Sequence, residues 1–542
     1  MKRFHKSLFF AGLLTLLVST NSCTDLDEKL YSSIDASQFY NNRQEILSGV
    51  LRPYTHANAW TAPTGQSGSW RLNEMSADQL AWPQKGRHGY DDAVWIRLHG
   101  HSWTFSENMI WDPWRLIFTG IGFCNSTLGD FEKVDFAKAG VSDAEKAAFI
   151  AELKVFRAYH YMRLMDLYGG IPIVTKVGEP ISPPTAPRAE VFAFIESELK
   201  ENIDLLPKLE KKLIGRITQA AGYSMLAELY LNAEVWSGTA RWDDCIAACD
   251  KISSGATGGL NGAPALDADL LATYSNTNDN SKEALFQLAY DFQATPTRLG
   301  FQGDFYHFAQ RLIYDGDANG NNGMVVIPSA YDAFKDNDLR KTTWMLIGPQ
   351  FQAADPTKPV LGTEEYRDKP LVFVKEIRRA SEGKTSSTMI DGEENSGARF
   401  NKYRPGRQSE AKYWSNDWIL YRLTDIYFYK AEALMRKNGG TATPEALRLV
   451  NDVHRRAFAA ADVTKEAYTV ATLTLPELLA ERGREFIFEG KRRTDMIRFG
   501  TFTTASWWDH RPSDPSKSLF PIPQRQLAAN PNLVQNPGYP AQ

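Results

Sequence analysis

The sequence predicts a mainly α protein, a scaffold of helical hairpins interrupted by long irregular loops that carry a few short strands. Three observations lead there. Several stretches repeat apolar residues at helical spacing and stop at Gly or Pro. Small residues recur where paired helices would meet. Between them lie segments 52–105, 253–281, 291–330 and 349–416, rich in Gly, Pro, Asn and aromatics; loops of that length are usually functional or carry strands of their own. The 542 residues, 43% hydrophobic and 12% aromatic, suffice for a large core. A formal charge of -4 excludes a generally cationic nucleic-acid binder but leaves room for a local basic patch.

The first element is an address. Lys2, Arg3, His5 and Lys6 precede an apolar run from Leu8 to Val18, long enough for a secretory signal and too short to span a membrane. Ser22-Cys23 follows, and Cys23 looks like the acylated cysteine of a bacterial lipoprotein, although Thr20 replaces the usual Leu three residues earlier. The alternative is an ordinary cleaved signal with an incidental Cys23. Cleavage after residue 22 removes Lys2, Arg3 and Lys6, taking 61 basic side chains to 58 against 65 acidic ones, a net charge of -7. The remaining Cys124, Cys245 and Cys249 are odd in number and complete no disulfide framework; they read as small buried residues.

The helices follow in order. Asp143 to Tyr168 is apolar on one side and ends at Gly169-Gly170; Ala189 to Leu206 lies between Pro187 and Pro207. Ile217 to Trp236 alternates small and large residues, and a helix around Trp242 to Ile252 follows it. Trp418 to Lys437 and Pro444 to Phe458 form a second pair joined by Asn438-Gly439-Gly440, and Leu475 to Arg498 is a further long helical stretch. Ala220, Ala221, Ala227, Ala431, Ala433 and Ala446 would let helices approach closely, as in tetratricopeptide-like hairpins, without a strict 34-residue period.

Taken together these segments resemble the SusD/RagB family of nutrient-binding outer-membrane lipoproteins. The marks are NEMSADQ (73–79), FRAYHYMRLMDLYGGIPIV (156–174), RITQAAGYSMLAELYL (216–231), IPSAYDAFKDNDLR (327–340), YRLTDIYFYKAEALMR (421–436), ERGREFIFEGKRRTDMIRFG (481–500) and PIPQRQLAANPNLVQNPGY (521–539). An acidic cluster, Asp25, Asp27 and Glu28, follows Cys23 as in surface-exported lipoproteins. The resemblance implies a non-enzymatic protein anchored in the outer membrane through lipid on Cys23 and facing the cell exterior. It implies a SusC-like TonB-dependent transporter as partner and a glycan as ligand, with peptide or glycoprotein fragments as the alternative. After a leader of residues 1–22, regions 23–250 and 251–542 are expected to pack as one globular unit.

Residues for sugar recognition concentrate in loop 76–95. There Trp82, Tyr90 and Trp95 alternate with Asp78, Arg87, His88 and other polar residues, and Pro83 and Gly86 suit a protruding turn. A sugar offers an apolar face to an aromatic plate and hydroxyls to carboxylates, amides and guanidinium groups. Trp82 is the expected stacking plate; the alternative is a loop folded onto the body with both Trp residues buried. Tyr306, His307 and Tyr314 in loop 301–323 would complete an arc with Trp82. The end of that loop places Asp315, Asp317, Asn319 and Gly320 as in a calcium loop, but Val326 stands where the twelfth-position Glu belongs. The choice is a flexible turn or an irregular, structural Ca²⁺ site; no other cofactor is expected.

Signals for catalysis fail. Gly383-Lys384-Thr385 lacks the earlier Gly of a phosphate loop, GQSGS (65–69) is no nucleophile elbow, and no H-E-x-x-H occurs. Glu485 and Glu489 lie one turn apart, and helical spacing favours pairing of Arg482 with Glu485 and of Glu489 with Arg492 or Arg493. A secreted glycoside hydrolase, whose two carboxylates need not be close in sequence, is the remaining enzymatic alternative.

Overall fold

A computed structural model describes residues 39–63, 68–177, 180, 182–294 and 300–541. Cys23 and the leader lie outside the described residues. The helices are α1 (Arg43–Thr61), α2 (Ser69–Met75), α3 (Asn108–Phe131), α4 (Asp143–Tyr168), α5 (Arg188–Asn202), α6 (Gln219–Leu231) and α7 (Trp242–Ser253), then α8 (Leu423–Lys437), α9 (Pro444–His454), α10 (Leu475–Glu485) and α11 (Arg492–Arg498). Short strands pair in twos: β1 (Leu80–Ala81) with β3 (Val325–Val326), and β2 (Ala284–Leu288) with β4 (Trp418–Arg422), both antiparallel.

Caps set the helix starts. The Ser142 hydroxyl accepts from the Glu145 amide and the Glu145 carboxylate reaches back to Ser142, a capping box for α4. Thr443 and Thr474 cap α9 and α10 in the simpler way. Gly169, at φ 74°, ends α4.

The helices stack as nearest neighbours. α3 packs between α1 and α4, α4 meets α5, and α7 lies between α6 and α8. Ala220, Ala221, Ala227, Ala431 and Ala433 are buried along these seams, and buried Cys245 directs its thiol at the Tyr429 carbonyl across the α7–α8 contact. The chain therefore leaves the scaffold after α7, builds the long loops, and returns as α8 against the helix it left. One apolar cluster runs from Tyr54 to Leu533.

Three expectations need correction. Trp418–Arg422 is strand, not helix, because its aromatic and branched side chains pair with Ala284–Leu288 before the helix begins at Leu423. The stretch from Leu475 to Arg498 is two helices. Phe488 and Gly490 adopt φ 73° and 78° between them, where the Trp70 indole donates to the Phe488 carbonyl and the Gly490 and Lys491 amides donate to Glu74. Helices also form where none was expected: α1 and α2 occupy part of 52–105, and α3 spans 24 residues.

Candidate ligand-binding face

The loop after β1 is pinned at both ends. Main-chain bonds join Gln84 to Met389 and Gly86 to Gly392, and Lys85 and His88 bond each other. The Lys85 ammonium turns inward onto the carbonyls of Asn322 and Gly323, and burial pushes its pKa well below that of an ordinary lysine.

Trp82 is inside, which corrects its reading as the plate. It is 3% exposed and stacks on Trp95 with ring centroids 5.0 Å apart and planes 7° from parallel. The Arg71 guanidinium lies 5.4 and 5.2 Å from the two rings. Gly323 closes the remaining side, where a Cβ would come within 2.5 Å of the indole. Loop 76–95 is folded onto the body through its Trp residues, and a sugar has no access to either face of Trp82.

That clamp projects Tyr90 outward, 49% exposed. The Trp95 indole donates to Asp91 at 2.8 Å, and Arg97 donates to the Asp92 carbonyl at 2.7 Å while pairing with Glu107 at 2.8 Å. Asp91, Asp92 and Ala93 are consecutive left-handed residues at φ 43°, 54° and 58°. Such non-glycine conformations cost of order 1 kcal/mol or more each and persist where the surroundings impose them, commonly at functional sites.

Neighbouring loops extend this rim. Arg87 is exposed and pairs with Glu364 at 3.1 Å; the His88 ring lies 4.8 Å from Phe308 and 3.7 Å from Glu364. Met389 donates to Asp509 at 2.7 Å, and the Trp508 indole donates to Ser387 at 2.9 Å. Trp507 lies parallel to His510 at 3.5 Å and, with Ser506, Asp509, Arg511 and Ser513, borders an open hollow of about 680 Å³. Burial pushes His510 down to about 4, so it is a neutral base of that plate. His88 thus stands against Phe308, and Trp508 and Asp509 bond the 387–389 segment that also pairs with Gln84 of the Tyr90 loop. Phe308, Trp507 and Trp508 were not expected here, although Trp507-Trp508-Asp509-His510 sets aromatics beside polar residues as 76–95 does.

Other expected residues face elsewhere. Asp78 binds Arg492 of α11 through both oxygens, at 2.6 and 2.8 Å. Tyr306 is 2% exposed and packs on Phe301, Tyr314 and Trp414; the Tyr314 hydroxyl donates to Asn401 at 2.7 Å. Neither completes an arc with Trp82, because the loop rings build the core under β3. Asp317 accepts from the Tyr413 hydroxyl at 2.9 Å, Asn319 caps the Arg311 amide, and Asp315 is left-handed at φ 54°. Among the described residues no three His, Cys, Asp or Glu side chains converge for a metal.

The carboxylates that resembled a catalytic pair are locked in a buried ion network. Glu485 contacts Arg340 and Arg422 at 3.0 Å each and Arg456 at 3.2 Å; Glu489 contacts Arg422 at 2.8 Å and Lys402 at 2.6 Å. The partners differ from those that helical spacing indicated, since Arg482 binds Asp495, Arg492 binds Asp78 and Arg493 binds Asp166. Neither carboxylate reaches the surface.

Two family models match the chain: one described as starch-binding associating with outer membrane over residues 26–231, and one described as SusD family over residues 273–539. The starch-binding protein SusD of Bacteroides thetaiotaomicron is 26% identical, with 99% of each chain covered. Among solved structures, a laminarin binding SusD-like protein superposes with TM-score 0.68 at 20% identity, covering 92% of this chain and all of its own. NanU of B. fragilis superposes with TM-score 0.71 at 19% identity, covering 94% and 100%.

Proposed function

Because the chain belongs to the SusD/RagB family, we propose that it is a cell-surface glycan-binding lipoprotein that captures oligo- or polysaccharide at the Tyr90 rim and delivers it to a SusC-like TonB-dependent transporter of the outer membrane. The observation that carries the reading is the exposed Tyr90, projected by a strained loop whose own tryptophans are spent on holding it, with Phe308 against His88 of that loop and Trp508 bonded to the segment the loop pairs with. Rings supply stacking surfaces, and Asp92, Arg87, Asp509 and Arg511 supply partners for hydroxyls. The starch and laminarin named for its relatives are the first ligands to try. Lipid on Cys23 would hold the chain at the membrane; among the described residues no helix is long and apolar enough to cross one.

The role is binding without chemistry. Glu485 and Glu489, the best-spaced carboxylates in the sequence, are neutralised by buried cations, which leaves neither as a general acid. Titrating the mature chain with starch, laminarin and peptides, with product analysis on the same samples, tests the reading. We expect saturable glycan binding at micromolar to millimolar Kd, roughly -8 to -4 kcal/mol, with no released product. Binding of peptides alone, or product release from a glycan, overturns it.

A further inference from the structure

We propose that an internal cavity of the helical scaffold binds a small monovalent anion of the halide class. The cavity, about 50 Å³, lies where α2, α4 and α6 meet α10 and α11, and Asn73, Arg163, Glu228, Arg482 and Asp495 are among the residues that wall it. That volume takes one halide ion with a water or two and is far below that of a pocket for a sugar. Its walls come from opposite ends of the chain, three helices from before residue 232 and two from after residue 474. An ion held there ties the two ends of the scaffold together.

The hydrogen bonds of the wall select the sign of the charge. Its carboxylates are already spent. Glu228 accepts from both terminal nitrogens of Arg163 and from the Tyr421 hydroxyl. Asp495 accepts from Arg482 at 2.9 and 2.8 Å and from Arg498 at 2.7 Å. Glu489, also in the wall, accepts from Arg422 through both oxygens and from Lys402. Three wall atoms have no partner among the described residues: Arg482 Nη1, Arg163 Nε and the amide oxygen of Asn73. Asn73 is 5% exposed and Arg482 1%, so bulk solvent does not serve them, and buried donors left unmade are costly. Two of the three are N–H donors on guanidinium groups. A metal cation would meet those donors and no free carboxylate oxygen. An anion can accept from both, and from Asn73 as well once a turn of its amide exchanges oxygen for NH₂.

The test is anomalous diffraction from crystals of the mature chain (residues 23–542) purified and grown with bromide in place of chloride. We expect a bromide peak in the cavity, in contact with Asn73 and Arg482, and its loss in Asn73→Leu. In solution, replacing gluconate by chloride at constant ionic strength should raise the thermal midpoint by about 1–3 °C at ten times the halide Kd. Asn73→Leu should abolish that rise, whereas a general salt effect would survive it. Water alone in the cavity, an unaltered peak in the variant, or a rise that the variant keeps overturns the proposal. Where the variant does not fold, the unsubstituted chain decides: a cavity without bromide, or a midpoint indifferent to chloride, overturns it equally. Glycan retention should be the same in chloride and in gluconate, so the result stands apart from the reading of Tyr90.

Discussion

Tyr90 holds its ring in solvent because the residues before and after it are tied down, and the energetic roles of the two aromatics in that loop differ accordingly. Trp82 contributes apolar burial, the Trp95 stack and the Arg71 contact. Trp82→Ala should therefore cost about 3–5 kcal/mol of stability and show as a clear drop in the denaturation midpoint. Tyr90→Ala at an exposed site should move stability by no more than about 0.5 kcal/mol. Equal midpoints for the two variants would contradict this division. The sequence marked loop 76–95 as the place for aromatic recognition, yet it did not say which ring faces out. That choice rests on Arg71, Gly323 and the 387–392 segment, which are local to Trp82 only after folding.

At the scale of elements, helices with clean punctuation were legible: α4 with its Ser142 cap and Gly169 stop, and α7 with its apolar face. α3 was not, because Pro113, Gly120, Gly122 and Gly129 dilute its helical signal. Gly120 has a packing reason, since a Cβ there would come within 2.3 Å of the His160 ring on α4. The break between α10 and α11 was equally hidden, for its cause is α2, more than four hundred residues earlier in the chain. Gly490 at φ 78° has Trp70 against it, and an added Cβ would lie 2.8 Å from the indole. Gly490→Ala should accordingly destabilise by more than about 1 kcal/mol; an unchanged denaturation midpoint would remove the close approach as the reason for the break.

The whole molecule joins its helical scaffold to its long loops through charge as well as apolar packing. Burial alone would raise the pKa of Glu283, but Arg456 and Arg422 hold it at about 2; burial would likewise raise Glu489, and Arg422 and Lys402 hold it at about 2. Both sit below the ordinary carboxylate value near 4.3. Their contribution is complete above that value and is lost as pH falls from about 4.3 towards 2, because the unfolded chain takes up the protons first. The thermal midpoint should drop across that window, and a flat midpoint from pH 4.5 to 2 would show that the network does not hold the loops to the scaffold. The sequence displayed these charges as pairs on one helix, whereas the fold recruits Arg340, Lys402 and Arg422 from distant segments, so their roles were only partly visible. What the 76–95 loop then offers outside is the exposed Tyr90 ring, whose proposed use is glycan binding. Affinity gel electrophoresis of the mature chain through starch and laminarin, beside Tyr90→Ala, tests that use. Retardation by at least one glycan is expected, lost in the variant with the denaturation midpoint unmoved; equal retardation of both proteins, or of neither, would rule out Tyr90 as the glycan contact.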